Sequence, residues 1–131
     1  MIKVRTDNAL AASGPYSQAI RTGNLIFVSG QLPIDPATGE MVRTNVKDAT
    51  RQSLKNMQAV LEAAGSGLDQ VVKTTCLLDD VNDFADFNEV YEEFFSHKPA
   101  RSCFAVKDIP KKSLVEIECI AIAQEEAEQD F

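Results

Sequence analysis

The 131-residue sequence predicts an α+β fold, a mixed sheet covered on one face by two helices. Three observations carry this. Two stretches, one between Asn45 and Gly65 and one between Asp80 and Phe95, repeat apolar side chains every three or four residues. Short β-branched or alternating segments stand before, between and after them. The last of these, Leu114–Ala123, splits into two unlike sets: Val115, Ile117, Cys119, Ala121 and Ala123 are wholly apolar, whereas Leu114, Glu116, Glu118, Ile120 and Ile122 mix two acids with large apolar groups. The first set suits a face packed on helices. The second, both greasy and charged, suits an oligomer interface that carries a site.

Taken in order, Ile2–Arg5 reads as a short strand, and Asp7–Pro15, rich in small and polar residues, as a loop. Gln18–Arg21 and Leu25–Ser29 flank Thr22-Gly23-Asn24, a hairpin signal. Between Gln31 and Asn45 nothing is periodic; Asp35-Pro36-Ala37-Thr38-Gly39 is a turn. Asn45, with Asp48 three residues on, caps the first helix. Ala49, Ser53, Met57, Val60, Leu61 and Ala64 fall near one face of it, and Gly65 stops it. Gln70–Leu78 is a strand. Asp80 or Asn82 caps a second helix whose stripe of Phe84, Phe87, Tyr91, Phe94 and Phe95 reads as core, ending before Pro99. Two strands close the chain, Arg101–Val106 and Leu114–Ala123. The organisation is a single domain over 1–124 and an acidic C-terminal tail over 125–131, a solvated end.

Composition narrows the function. Hydrophobic residues make up 44%, enough for a core. No apolar run approaches the roughly 20 residues of a membrane span, and Met1–Thr6 has no secretory character, so no membrane association is expected and the location expected is cytoplasmic. The net charge is −7; four acids lie in the tail, leaving about −3 on the body. No basic stripe is present, which disfavours nucleic acid as a partner. Cys76, Cys103 and Cys119 have no C-x-x-C spacing and His97 completes no zinc site with them; they read as reduced, small apolar residues, and His97 as a surface residue.

Chemistry points to two residues. Arg101 follows Pro99 at the start of a strand, and Arg is the side chain suited to forking onto a planar carboxylate. Glu116 and Glu118 share a strand face with Leu114, Ile120 and Ile122; partial burial raises a carboxyl pKa toward the range of acid–base work. Each has a plainer reading as an ion-pair partner. Tyr16, in Gly14-Pro15-Tyr16-Ser17-Gln18, is either a packed turn residue or a lid. Ser29 presents a hydroxyl beside Gly30, where glycine allows close backbone approach. Asn88, mid-helix, is either a satisfied polar residue or a ligand contact. No phosphate-binding glycine loop, nucleophile elbow or H-E-x-x-H occurs.

Together these segments resemble the RidA/YjgF family. The matching pieces are Gly14–Ala19, Val28–Pro33, Val72–Thr75, Asp83-Phe84 with Asn88 and Tyr91, Pro99–Ser102 and Glu116–Glu118, in the family's order over nearly the whole chain. The resemblance implies a chorismate-mutase-like (bacillus-type) α+β fold and a homotrimer with a barrel core and three intersubunit clefts. It implies hydrolytic deamination of 2-iminobutanoate and 2-iminopropanoate to 2-oxo acids and ammonia, with no metal and no cofactor. It assigns catalysis to Arg101, which binds the carboxylate, and Glu116, which handles the attacking water. Tyr16, Ser29, Gly30, Asn88 and Cys103 line the pocket, Cys103 through its backbone carbonyl. The loop Ser96–Pro99 is shorter than in many family deaminases. Two other readings stand beside this one: a non-catalytic module binding a small carboxylate in the same cleft, and ribonuclease activity, which the acidic charge disfavours.

Overall fold

The computed structural model describes residues 1–124; the acidic tail lies outside the described residues. Eight elements follow in order: β1 (Ile2–Val4), β2 (Ala19–Thr22), β3 (Leu25–Gln31), α1 (Val46–Ala63), β4 (Val71–Leu78), α2 (Phe84–Phe94), β5 (Ala100–Ala105) and β6 (Val115–Ile122). The sheet has six strands in the order β1-β2-β3-β6-β4-β5. Only β4 and β5 are parallel neighbours, joined through α2 as a parallel pair requires.

Asn45 caps α1 as its sequence suggests, accepting the Asp48 N–H at 2.8 Å. Ala64 and then Gly65, at φ +82°, end the helix, and Arg21 on β2 donates to the Ala64 carbonyl at 3.0 Å. Neither Asp80 nor Asn82 is the N-cap of α2 itself: that position is Asp83, whose side chain makes no capping bond, and the turn before the helix is capped by Asp80. The Asp80 carboxylate accepts the Asn82 N–H at 2.9 Å, and this one 3₁₀ turn, Val81–Asp83, precedes the α-helix. The sheet's helix-covered face is the apolar set of β6, Val115, Ile117, Cys119 and Ala121, with Ile26, Val28, Thr74, Cys76 and Leu78 beside it, all buried. Against these pack Leu54, Met57, Val60 and Leu61 of α1 and Phe87, Tyr91 and Phe95 of the α2 stripe. The other face is open: Leu25, Phe27, Val72, Phe104 and Ile122 are exposed there.

One departure from the sequence reading positions the site. β3 runs past Ser29 to Gln31, and its register with β6 slips between Val28 and Gln31, so that three steps on β3 face two on β6. Ser29-Gly30 is therefore a β-bulge, a device that re-aims side chains at functional edges. His97 lies at the surface, as its sequence reading expects, with its Nε2 2.8 Å from the Val71 carbonyl.

Candidate active site

Two half-sites emerge. The first is built by the bulge. Ser29 donates its hydroxyl to the Ser17 carbonyl at 2.6 Å, and the Ser29 N–H bonds the Gln18 carbonyl at 2.9 Å, which pins the Gly14–Gln18 turn against β3. Tyr16 is 55% exposed and lines one depression together with Leu10, Gln18 and Gly30; it is a rim residue rather than a packed one. Gly30 has the close approach expected of it: a Cβ there would stand 2.8 Å from Glu116 Cδ. The Glu116 carboxyl thus lies on the backbone of the bulge, half-buried, with its pKa raised by burial and then by the charge of Glu118 two residues along the same face. Glu118 itself is exposed.

The second half-site centres on Arg101. Its guanidinium donates to Asn88 Oδ1 at 2.7 Å and lies over the rings of Tyr91, 4.8 Å from the centroid, and Phe84, 5.5 Å away. Asn88 is thus satisfied by Arg101 and serves as its orienting partner. Tyr91 is fixed in turn by Thr74 on β4, hydroxyl to hydroxyl at 2.7 Å. Asn88, Tyr91, Pro99 and Arg101 line a shallow depression. Among the described residues the guanidinium has no acidic partner, so part of its donor fork stays available to a ligand.

Phe84, Asn88 and Tyr91 form one stripe of α2, continued by Phe95 just past the helix end. The sequence reading assigns the aromatic members to the core, which holds for Phe87, Tyr91 and Phe95, with Phe94 partly buried against it, but not for Phe84, which is exposed and with Tyr91 makes the platform under Arg101. The signal was the polar Asn88 inside an aromatic stripe. Cys103 follows Arg101 on the same side of β5, half-buried, directly opposite Cys76 of β4. The neighbouring Cys76 thiol and then the charge of Arg101 hold the Cys103 thiol down at about 7.

Within one chain the two half-sites do not meet. Arg101 pairs with Thr74 and Glu116 with Leu77 along β4. Thr74 is buried on the helix face, and Leu77 lies an odd number of residues away, on the open face. Arg101 and Glu116 therefore project from opposite sides of the sheet, two strands apart and three residues along, roughly 14 Å between Cα atoms from standard strand spacings. Among the described residues no cluster of three His, Cys, Asp or Glu side chains could hold a metal ion, and no helix is long and apolar enough to cross a membrane.

A family model described as Endoribonuclease L-PSP matches residues 6–123. A RutC family protein of Pyrococcus horikoshii is 56% identical over 88% of this chain and 93% of its own length. The 2-iminobutanoate/2-iminopropanoate deaminase of Escherichia coli K12 is 48% identical over 91% of this chain and 95% of its own. Among solved structures, the E. coli YjgF gene product superposes with a TM-score of 0.89 at 45% identity, covering 93% of this chain and 98% of that one. E. coli TdcF with bound serine gives 0.89 at 41% identity, covering 93% and 98%.

Proposed function

The chain belongs to the RidA/YjgF family, and from that premise we propose that it hydrolyses small 2-imino acids, 2-iminopropanoate and 2-iminobutanoate, to the 2-oxo acids and ammonia. The observation that carries this is the state of Arg101: oriented by a neutral amide and two aromatic faces, it retains the capacity to fork onto a carboxylate. Relatives at 46 to 49% identity that bear deaminase names support the reading.

Because Arg101 and Glu116 leave opposite faces of one sheet, the working site is a cleft between two copies, in a homotrimer built on the open sheet face. Arg101 of one copy grips the substrate carboxylate with Asn88 and the Cys103 backbone around it. Glu116 of the neighbour, with Tyr16, Ser29 and Gly30, faces the imine carbon. Glu116 takes a proton from water as its oxygen bonds C2, and returns a proton to the nitrogen. The carbinolamine then collapses: its hydroxyl proton passes to the nitrogen, the C=O bond forms as the C–N bond breaks, and ammonia leaves. The imine is already electrophilic, so the protein chiefly positions reactants, an effect that reaches effective molarities of about 10⁵–10⁸ M. A Glu whose pKa is raised is suited to both proton transfers.

The test is a competition assay. An amino-acid oxidase generates the imine in the presence of semicarbazide, and semicarbazone formation is followed. The wild type should suppress the semicarbazone and Arg101→Ala should not; suppression by both variants alike would sink the assignment. The bound serine of TdcF favours a second reading, a small-carboxylate binding module. Glu116→Gln separates the two, since the enzyme loses turnover and keeps ligand binding, whereas the module has no turnover to lose.

A further inference from the structure

The proposed deamination uses the Cys103 backbone and leaves its thiol idle. That thiol has a partner. β4 and β5 run parallel and in register from Lys73↔Ala100 to Leu78↔Ala105, with Cys76 directly opposite Cys103. Both side chains lie on the helix-covered face, for Thr74 and Cys76 are buried there and the same register sets Arg101 and Cys103 beside them. Neighbouring strands stand about 4.8 Å apart, inside the roughly 4.4–6.8 Å between Cα atoms that a disulfide accepts, so the backbone separation suits a bridge. The two thiols differ in access: Cys76 is 0% exposed, while Cys103 is half-buried beside the Arg101 depression.

We propose that Cys76 and Cys103 form a reversible intramolecular disulfide, in which Cys103 meets a hydroperoxide and Cys76 resolves the product. The Cys103 thiolate attacks the distal peroxide oxygen; the O–O bond breaks, and Cys103 leaves as sulfenic acid with hydroxide (or alkoxide) released. The Cys76 sulfur then attacks the Cys103 sulfur, its proton goes to the departing hydroxyl, and water leaves as the S–S bond forms. In all, two thiols are oxidised and one peroxide is reduced.

The local chemistry assists each step. The neighbouring Cys76 thiol and the nearby guanidinium favour the Cys103 thiolate. The proximity of Cys103 is the foremost influence holding Cys76 protonated, ahead of burial, and the Cys76 thiol donates to Thr74 Oγ1 at 3.7 Å. Cys103 lies two residues from Arg101 on one face, so the bridge forms inside the half-site that grips the carboxylate and turns a titrating thiol there into a neutral disulfide. Cys119 is buried on β6 opposite Thr74, not opposite a cysteine, and serves as an internal control.

The experiment treats the full chain with hydrogen peroxide, blocks remaining thiols under denaturing conditions, and maps peptides by mass with and without dithiothreitol. The expected result is a reducible link between the Cys76 and Cys103 peptides within one chain, with Cys119 alkylated. In Cys76→Ala, and in Cys76→Val should the smaller residue impair folding, Cys103 sulfenic acid should persist and be captured by dimedone, with capture in the wild type at least about tenfold lower. Equal capture in wild type and variant, links only between separate chains, or an unmodified Cys103 in both would each overturn the proposal.

Discussion

Two inactive variants should regenerate activity when their subunits are mixed. Arg101→Ala removes a charge-assisted grip on the substrate carboxylate. Two such hydrogen bonds at about 1.5–3 kcal/mol each predict a fall of about 10²–10⁴ in kcat/KM. Glu116→Gln removes the proposed proton carrier, an expected loss of about 10²–10⁴ as well. In the structure these residues project from opposite faces of one sheet, so in the proposed assembly each cleft would draw its arginine from one copy and its glutamate from the next. In an equal random mixture the first copy retains Arg101 half the time and its neighbour retains Glu116 half the time. Roughly one cleft in four is then intact in any closed ring with head-to-tail interfaces.

The assay is semicarbazone competition after the two variants are denatured and refolded together, with wild type carried through the same cycle to set the scale. The predicted recovery is about a quarter of that scale, against about 1% or less for either variant alone. A site formed by one chain gives a different number: every chain in the mixture lacks one group, so recovery is nil. No gain over the parents, with wild type regaining its rate, would refute the division of the site between copies.

Three further outcomes follow from the same geometry. The raised Glu116 pKa means the native state holds this proton more tightly than the unfolded chain, so ionising it costs stability at neutral pH and that cost disappears as pH falls through the native value. The acid limb of the kcat/KM profile should accordingly lie above the ordinary Glu range, about 4.3, and Glu118→Gln should move it down; a limb that Glu118→Gln leaves in place would contradict the electrostatic cause. Gly30→Ala sets a methyl group 2.8 Å from Glu116 Cδ and must displace the carboxyl. Since an ångström of misplacement costs about 10²-fold, kcat should drop by about that factor while the thermal midpoint barely moves, and a parallel loss of stability would point to a structural role instead. Phe87, fully buried beside Tyr91 at 5.6 Å between ring centroids, should lose about 3–5 kcal/mol on truncation to Ala, measured by urea unfolding; a loss under about 1 kcal/mol would mean the α2 stripe is not core.

What the sequence made legible is what local pattern determines. Asn45 and Gly65 bracket α1 because capping and a left-handed terminus are decided within a few residues. The alternation Val115–Ala123 gave the two faces of β6 correctly because side-chain direction along a strand has period two. The Ser29-Gly30 bulge was half legible: the glycine announced a close approach, but a register slip is a property of two strands and needs β6 to be seen. The pairing of Cys76 with Cys103 has no local signature, since it depends on β4 and β5 becoming parallel neighbours across α2. For the same reason the sequence could nominate Arg101 and Glu116 but not say that they turn away from each other. That fact rests on the strand order β6-β4-β5 and on two registers counted along β4.

The separation has a chemical consequence. An arginine and a half-buried glutamate brought together in one chain would pair, and the pair would spend both groups: the guanidinium fork would be filled and the carboxyl pKa would fall as the opposite charge favoured ionisation. Here Arg101 faces a neutral amide and two aromatic rings, while Glu116 has only burial and a like-charged neighbour, each influence leaving its group in the state that imine hydrolysis needs. Assembly could therefore bring the two into one cleft with a substrate between them. The substrate carboxylate would occupy the guanidinium and the imine with its water would occupy the Glu, so the ligand itself would hold the two charges apart. On this argument a product 2-oxo acid, which keeps the carboxylate and lacks the imine nitrogen, should bind through the Arg101 half alone. It should inhibit competitively with an affinity that Glu116→Gln changes by less than about threefold and that Arg101→Ala abolishes; equal sensitivity to both substitutions would show that the two charges already interact in the empty cleft.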